Sequence, residues 1–460
     1  MTSAQTQPAT FAPYAHQVKT AQLLDRVPRI LLRHEVGVGK TISTLLHCAG
    51  MPLKTLVLAP RTVMHAAWVR DAQHFPTVPV TVYHGSKRAK LLKDIAGNPT
   101  AFVVTTHETF RRDADKLAAC GFKRFVIDES SKIKNRESSI AESAMWFSKQ
   151  VDRVVLLTGT PAPNTPAEYW PQLACIDPRT LGMYWNMIRE YFVPQRKTIF
   201  RNGRRIEVIA RLDQTEQQRK RFTEKIAPHI DSLTKAECLT LPPVTDVVRL
   251  VELSDGELSA YEAADKDLKL TVGRDDSPIK AEALLGKLRQ ITGGAVYSGT
   301  FGSPMVSNIG TSKLDELECV LDEIGPTEPV VIWAQYRHEI DRIAQKFGCA
   351  IIDGRTKNAA EIVATFQQGG IARLVCHPAA CGHGITLTRA SYAVFYSLDF
   401  SAELFEQARG RLDRAGQTRP ITNIMLIAHD TIDSVVYRAL KAKKKVSEEV
   451  MQSIIKHQTA

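Results

Sequence analysis

The chain of 460 residues has no run of 18 apolar residues, which excludes a membrane-spanning helix. Its amino terminus, MTSAQTQPATFAPYAHQ, lacks a basic start followed by an apolar stretch, so no secretion signal is read there. Cysteine is sparse: the eight residues, at 48, 120, 175, 238, 319, 349, 376 and 381, include no Cys-x-x-Cys pair. That spacing speaks against a zinc ribbon and a disulfide framework, and fits a reducing compartment. Internal repeats, low-complexity tracts and heptad runs are also missing, which removes solenoids and coiled coils from consideration. Acid is in deficit, with 49 Asp plus Glu against 60 Lys plus Arg, a formal charge of +11. An excess of that sign favours polyanionic partners, because it raises encounter rates and releases counterions. With 44% hydrophobic and 24% charged residues, what remains is a globular chain long enough for two or three cores.

What is present is a pattern that occurs twice. From residue 54, short apolar runs (KTLVLAP, VTVYHG, AFVVTTHE, RFVIDES, RVVLLTGT) alternate with amphipathic stretches such as TVMHAAWVRDAQHF. Near the carboxyl end PVVIWAQ, CAIIDG, ARLVCHP and YAVFYSLDF alternate with YRHEIDRIAQKF and AEIVATFQQ. β-Branched runs separated by helical periods predict parallel sheets with helices on both faces. The expected architecture is α/β: a first lobe over 1–180, an insertion with a basic hairpin over 181–245, and a second lobe over 246–460.

In RILLRHEVGVGKTISTLLH an apolar run meets a turn at Gly37, Val38 and Gly39, then Lys40 and Thr41, then a helical pattern. Glycines let backbone N–H groups approach phosphate, a helix amino terminus adds its positive end, lysine reaches the β- and γ-phosphates and threonine holds Mg²⁺. The strict G-x-x-x-x-G-K-T spacing fails, since His34 stands where the first glycine belongs. A bare G-K-T can be an ordinary turn; the strand before it and the helix after it read as a phosphate loop. A second element lies 88 residues beyond Lys40, where RFVIDESSKIKN ends a strand on Asp128-Glu129. One carboxylate there can hold the Mg²⁺ shell and its neighbour can orient the attacking water. A third, FEQARGRLDRAGQ, places three arginines within six positions. If helical throughout, it brings Gln407, Arg411 and Arg414 onto one face, with Arg409 nearly opposite. Taken alone this is a solvated basic helix; with an anion nearby it is a phosphate-binding face.

Together the order G-x-G-K-T, D-E-x-x-K-x-K-N, LTGTPAPN and Q-A-R-G-R-x-x-R-x-G-Q resembles a superfamily 2 helicase of the Swi/Snf-like branch. LAPRTVMHAAW, LGKLRQITGGAVY, SKLDEL and GHGITLT are similar to that branch's intervening blocks, and the likeness runs from about Tyr14 to about Thr422. It is nearest in plan to compact helicases of bacteria and bacteriophages. The resemblance implies two RecA-like lobes, ATP and Mg²⁺ as ligands, and an intracellular setting, the cytoplasm of a bacterial or phage-infected cell. It assigns Gln17 to the adenine, Lys40 and Thr41 to phosphate and Mg²⁺, Asp128 to the Mg²⁺ shell and Glu129 to the water. It assigns Thr158, Thr160 and the residue at 131 to coupling, and Arg411 and Arg414, with Gln407 beside them, to the γ-phosphate from the second lobe. Arg409 falls outside this set and is expected in a structural ion pair. One departure stands out: where the family has Ala-His or Gly-His after the acidic pair, this chain has Ser130-Ser131.

The same resemblance implies DNA as partner. Arg61 and Thr62, Thr106, Arg111 and Arg112, and Gly384 and Thr388 match blocks that grip the phosphate backbone, where small hydroxyl groups suit sequence-blind contact. The expected function is an ATP-dependent translocase or helicase on duplex or branched DNA. The rivals are an RNA helicase, an ATP-gated clamp uncoupled by Ser131, and the motor subunit of a larger restriction or repair machine. RKTIFRNGRRIEVIA lies outside the resemblance. Asn202-Gly203 between two β-prone runs predicts a hairpin, and Arg201, Arg204 and Arg205 near its tip are candidate DNA contacts or a solvated decoration.

Overall fold

A computed structural model describes residues 11–86, 88–201, 204–273, 278–298, 305–381 and 385–442, the side chains at 62, 66, 199–201, 204–205, 268–273, 278–283 and 298 excepted. Gly384, and the Asn202-Gly203 turn, therefore lie outside the described residues. The chain divides into two compact units, Met1–Leu239 and Thr240–Ala460.

The first unit contains β1 (Arg29–His34), β2 (Thr55–Leu58), β3 (Val80–Val82), β4 (Phe102–Thr105), β5 (Arg124–Asp128), β6 (Arg153–Thr158), a two-stranded ribbon β7 (Val193–Arg201) and β8 (Arg204–Asp213), and β9 (Ile230–Leu233). Its main sheet runs β3-β4-β2-β5-β6-β1-β9, every pair parallel. Both faces are covered, so the strands are continuously apolar, and alternation decides which core each residue enters. Leu31, Leu56, Val103, Phe125 and Leu156 pack on one side, while Leu32, Val57, Val104, Val126 and Val155 pack on the other.

The second unit contains β10 (Val244–Val251), an antiparallel pair β11 (Ala295–Ser298) and β12 (Met305–Asn308), then β13 (Val330–Trp333), β14 (Ala350–Ile352), β15 (Arg373–Cys376), β16 (Tyr392–Phe395) and β17 (Ile421–Ala428). The order β10-β17-β16-β13-β15-β14 is again wholly parallel. Val331 and Trp333 enter one core, Val330 and Ile332 the other.

Two parallel-sheet lobes are thus what the alternating pattern predicts. The segment 181–245 differs from expectation. Up to Leu239 it belongs with the first unit: Met187, Ile188, Tyr191, Phe222 and Ile226 join that unit's core, and β9 adds the strand beside β1. The ribbon's strands are antiparallel and in register as far as Arg201 and Arg204.

Candidate functional site

The nucleotide loop follows β1. Gly37 (φ 97°) and Gly39 (φ 86°) both adopt left-handed backbone, which side chains resist. At Gly39 there is a second reason: a Cβ would lie 2.1 Å from Gln17 Nε2. The helix Lys40–Gly50 starts there, with its unpaired N–H groups facing the loop. Lys40 Nζ donates to the carbonyls of His34 (2.9 Å) and Glu35 (3.2 Å), so the ammonium is held over the mouth of the loop by backbone oxygens.

His34, the residue that breaks the expected glycine spacing, is buried, and its Nε2 donates to Asp231 Oδ2 on β9 at 2.7 Å. Its neighbour Glu35 accepts from the Lys235 N–H through Oε2 (2.9 Å) and donates its own N–H to Leu233 O (2.9 Å). A glycine there would give neither the ring nor its partner.

Gln17 and His16, on the helix Ala15–Arg26, reach the loop from the other side. His16 Nε2 donates to Val38 O at 2.8 Å and Gln17 Nε2 lies 3.5 Å from the same oxygen. Gln17 Oε1 accepts from the Tyr14 N–H (2.9 Å). The amide expected to read adenine is therefore buried and engaged at both ends with backbone.

Asp128 closes β5. It is buried; Trp68 Nε1 donates to its Oδ2 at 2.9 Å and the Glu129 N–H donates to its Oδ1 at 3.1 Å. Burial pushes its carboxyl above the usual range, while the Trp68 hydrogen bond, the Lys40 charge and the Glu129 amide pull the other way. Trp68 lies in a π-helical turn, Met64–Val69, a widening that often marks functional positions. Glu129 has φ 53° and ψ 57°, one of two non-glycine residues with positive φ among those described. Such a conformation costs about 1–3 kcal/mol and persists only where the surroundings enforce it. It turns the chain sharply after Asp128.

β6 ends beside the same loop: a Cβ on Gly159 would meet His34 O at 3.4 Å. Thr158, fully buried, accepts the Thr160 N–H through its hydroxyl (3.1 Å). Gln17, Lys40, Thr41, Asp128, Glu129, Thr158 and Thr160 thus gather at the carboxyl ends of β1, β5 and β6, the edge where parallel sheets bind ligands. The donor set suits Mg²⁺, since Thr41 and the buried Asp128 offer hard oxygens. Among the described residues no cluster of three His, Cys, Asp or Glu could hold a metal alone. A magnesium ion here would be shared with a phosphate ligand.

The first unit carries a second charged neighbourhood. His84 is held below the usual imidazole range by burial and then by the charges of Arg61, Arg88 and Arg112. Arg61 and Arg112 thus both act on His84, as does Arg88, which pairs with Asp113 Oδ2 at 3.0 Å; His84 and Arg88, from VYHGSKR, were passed over by the sequence reading. Arg111 is exposed on the same helix, His107–Ala118. Thr106 caps that helix, accepting the Thr109 N–H (3.1 Å) and donating to Thr109 Oγ1 (2.9 Å). At Thr62 only the backbone is described, in the short helix Arg61–Val63.

In the second unit the expected continuous helix stops at Arg409. Residues 410–416 are turns, so the helical-wheel account of Arg411 and Arg414 does not hold. They are brought together instead by one acceptor: Ile385 O receives Arg411 Nη1 (3.3 Å) and Arg414 Nη1 (3.1 Å). Arg411 is buried and Arg414 half-buried. Gln407, on the helix, is also buried; its Nε2 donates to Glu403 Oε1 (3.3 Å), and its Oε1 finds no partner among the described residues. Arg409 points elsewhere and pairs with Asp246 Oδ2 at 2.9 Å, the structural ion pair expected of it. Thr388 accepts from Gln367 Nε2 at 3.3 Å.

Two family models match the chain, the first of them crossing the boundary at Leu239. The SNF2-related domain matches residues 18–292 and the helicase conserved C-terminal domain residues 312–416. Protein p41 of Acyrthosiphon pisum secondary endosymbiont phage 1 is 27% identical over 97% of this chain and 99% of its own length. A Drosophila melanogaster protein, SWI/SNF-related matrix-associated actin-dependent regulator of chromatin subfamily A-like protein 1, is 26% identical over 92% of this chain. The Arabidopsis thaliana ATP-dependent DNA helicase DDM1 is 24% identical over the same share. The chain spans 53% of the fly protein and 59% of the plant one.

Proposed function

Since this chain belongs to the SNF2-related family of ATP-hydrolysing helicases, we propose that it is a DNA translocase or helicase acting on duplex or branched DNA, such as forks and recombination junctions. The observation that carries the reading is the first unit's cradle: Lys40 held on two carbonyls at the mouth of a double-glycine loop, beside Asp128 and a strained Glu129. ATP entering the loop offers Lys40 phosphate oxygens in exchange for His34 O and Glu35 O. Thr41 and Asp128 would hold Mg²⁺, which when bound neutralises charge on the phosphates. Glu129 orients and deprotonates the attacking water. Arg411 and Arg414 meet the charge that grows on the γ-phosphate, and Gln407 lies beside them. Gln17 reads the adenine edge by exchanging its contacts with Tyr14 and Val38. Thr158, Thr160 and Ser131 link hydrolysis to movement of the lobes.

DNA is the polyanion that the family assignment and the charge of +11 favour. The cationic group Arg61, Arg88 and Arg112 around His84, with Thr62, Thr106 and Arg111, forms one contact region; Gly384 and Thr388 form another; and the ribbon tip Arg201, Arg204 and Arg205 a third. Relatives named as a chromatin regulator and a DNA helicase support the substrate class. ATP turnover titrated with duplex DNA, single strands, forked DNA and RNA tests the reading. Duplex or forked DNA is expected to stimulate most. Stimulation by RNA alone would make it an RNA motor, and binding without turnover a clamp.

A further inference from the structure

Ser130 and Gln172 are fully buried and hydrogen-bonded to each other, Ser130 Oγ donating to Gln172 Oε1 at 2.8 Å. Gln172 Nε2 donates onward to Pro161 O (2.7 Å) and Glu168 O (3.0 Å). Pro161 follows Thr160 in LTGTPAPN, and Ser130 follows the strained Glu129. The other end of that loop is pinned from the same helical segment, since Glu168 accepts Asn164 N (3.0 Å) and Asn164 Nδ2 (2.7 Å). One amide therefore joins the acidic turn to the Thr158–Asn164 loop, with both its oxygen and its nitrogen committed.

A buried hydroxyl and a buried amide each cost free energy unless paired, so this contact is expensive to keep in a core where Ala and Leu would pack without penalty. It lies at the point where the resemblance expects alanine or glycine, one residue before an expected histidine. We infer that the Ser130–Gln172–Pro161 chain makes Ser130 and Gln172 the positioning residues that transmit a change at Glu129 to the Thr158–Asn164 loop. This rests on the ATP-driven reading above. When the γ-phosphate leaves and Glu129 shifts, Ser130 moves with it, and the shared amide carries the displacement to Pro161.

The full chain with Ser130→Ala, with Gln172→Leu, and with both tests this. Four quantities are read: ATP turnover with and without duplex DNA, KM for ATP, strand or triplex displacement per ATP consumed, and melting temperature. Each single variant is expected to lose about tenfold of DNA-stimulated turnover, the scale of one buried hydrogen bond. KM for ATP should hold, and more ATP should be consumed per displacement. Ser130→Ala leaves Gln172 Oε1 buried and unpaired, so its melting temperature falls. The double variant removes the unpaired Gln172 oxygen but leaves Pro161 O and Glu168 O without that donor, so it regains only part of the melting temperature relative to Ser130→Ala, yet stays uncoupled. Recovery of coupling along with stability would overturn the inference, because the pair would then be packing alone. So would full stimulation in the single variants. A wild type without DNA-stimulated turnover would overturn the functional reading, and the inference with it.

Discussion

The nucleotide loop of the first unit and the arginine loop of the second both hold cations on backbone carbonyls, but they are built differently. Lys40 rests on His34 O and Glu35 O, at the start of a helix whose N–H groups face the same space. Arg411 and Arg414 share Ile385 O after a helix has ended. In the first case fixed dipoles already favour an anion, so the lysine adds to a field that exists without it. In the second, two guanidinium groups bring the positive charge. A loss in the first unit should therefore damage binding and chemistry together, and a loss in the second should damage chemistry more than binding.

The largest expected effects lie in the first unit. Lys40→Ala should weaken ATP binding and abolish turnover, whereas Glu129→Gln should abolish turnover while binding survives and an ATP-bound state accumulates on DNA. Nucleotide-binding titrations beside steady-state turnover distinguish the two, and turnover surviving in either variant would remove the hydrolase reading. Next comes the second unit. Arg414→Ala should lower kcat by on the order of 10³-fold with a much smaller change in ATP affinity, because its partner charge grows in the transition state. Arg409→Ala, which breaks the Asp246 pair and the contact with the Phe405 ring, is the control. A larger kcat loss from Arg409→Ala than from Arg414→Ala would collapse the contrast between the two loops. The smallest effect belongs to the ribbon. Neutralising Arg201, Arg204 and Arg205 together should flatten the salt dependence of DNA binding by up to roughly 0.9 in log–log slope per lost phosphate contact. Turnover without DNA should stay as it was; an unaltered slope would return the ribbon to decoration.

The sheets were legible because both faces are covered, which leaves continuous apolar runs such as FVVT and VVIW that periodicity detects. β9 was not: IDSL is four residues long and half-polar, and its value comes from Asp231 meeting His34, 197 residues away. β10 and β17 pair with each other from opposite ends of the second unit, so neither sits in the repeating pattern that betrayed the rest. The phosphate loop and Asp128-Glu129 could be read because their chemistry is local. Trp68, Gln172 and His84 could not, since each acquires its partner only through folding. The arginine segment shows a third case, in which the right residues converge for a reason other than the helical one.

The pairing of Leu31 with Ile230 and of His34 with Leu233 also bears on how the molecule is made. Strand β1 emerges early in synthesis, yet its outer neighbour is encoded some two hundred positions later, which makes this one of the least local pairings in the first unit. Until Asp231 has left the ribosome, the buried His34 ring lacks its acceptor and one edge of the sheet stays open to misjoining. A fragment cut at residue 180, where the repeating pattern alone would end the lobe, would stop in that unfinished state. The phosphate loop is among the first parts of this chain to be translated and among the last to be completed.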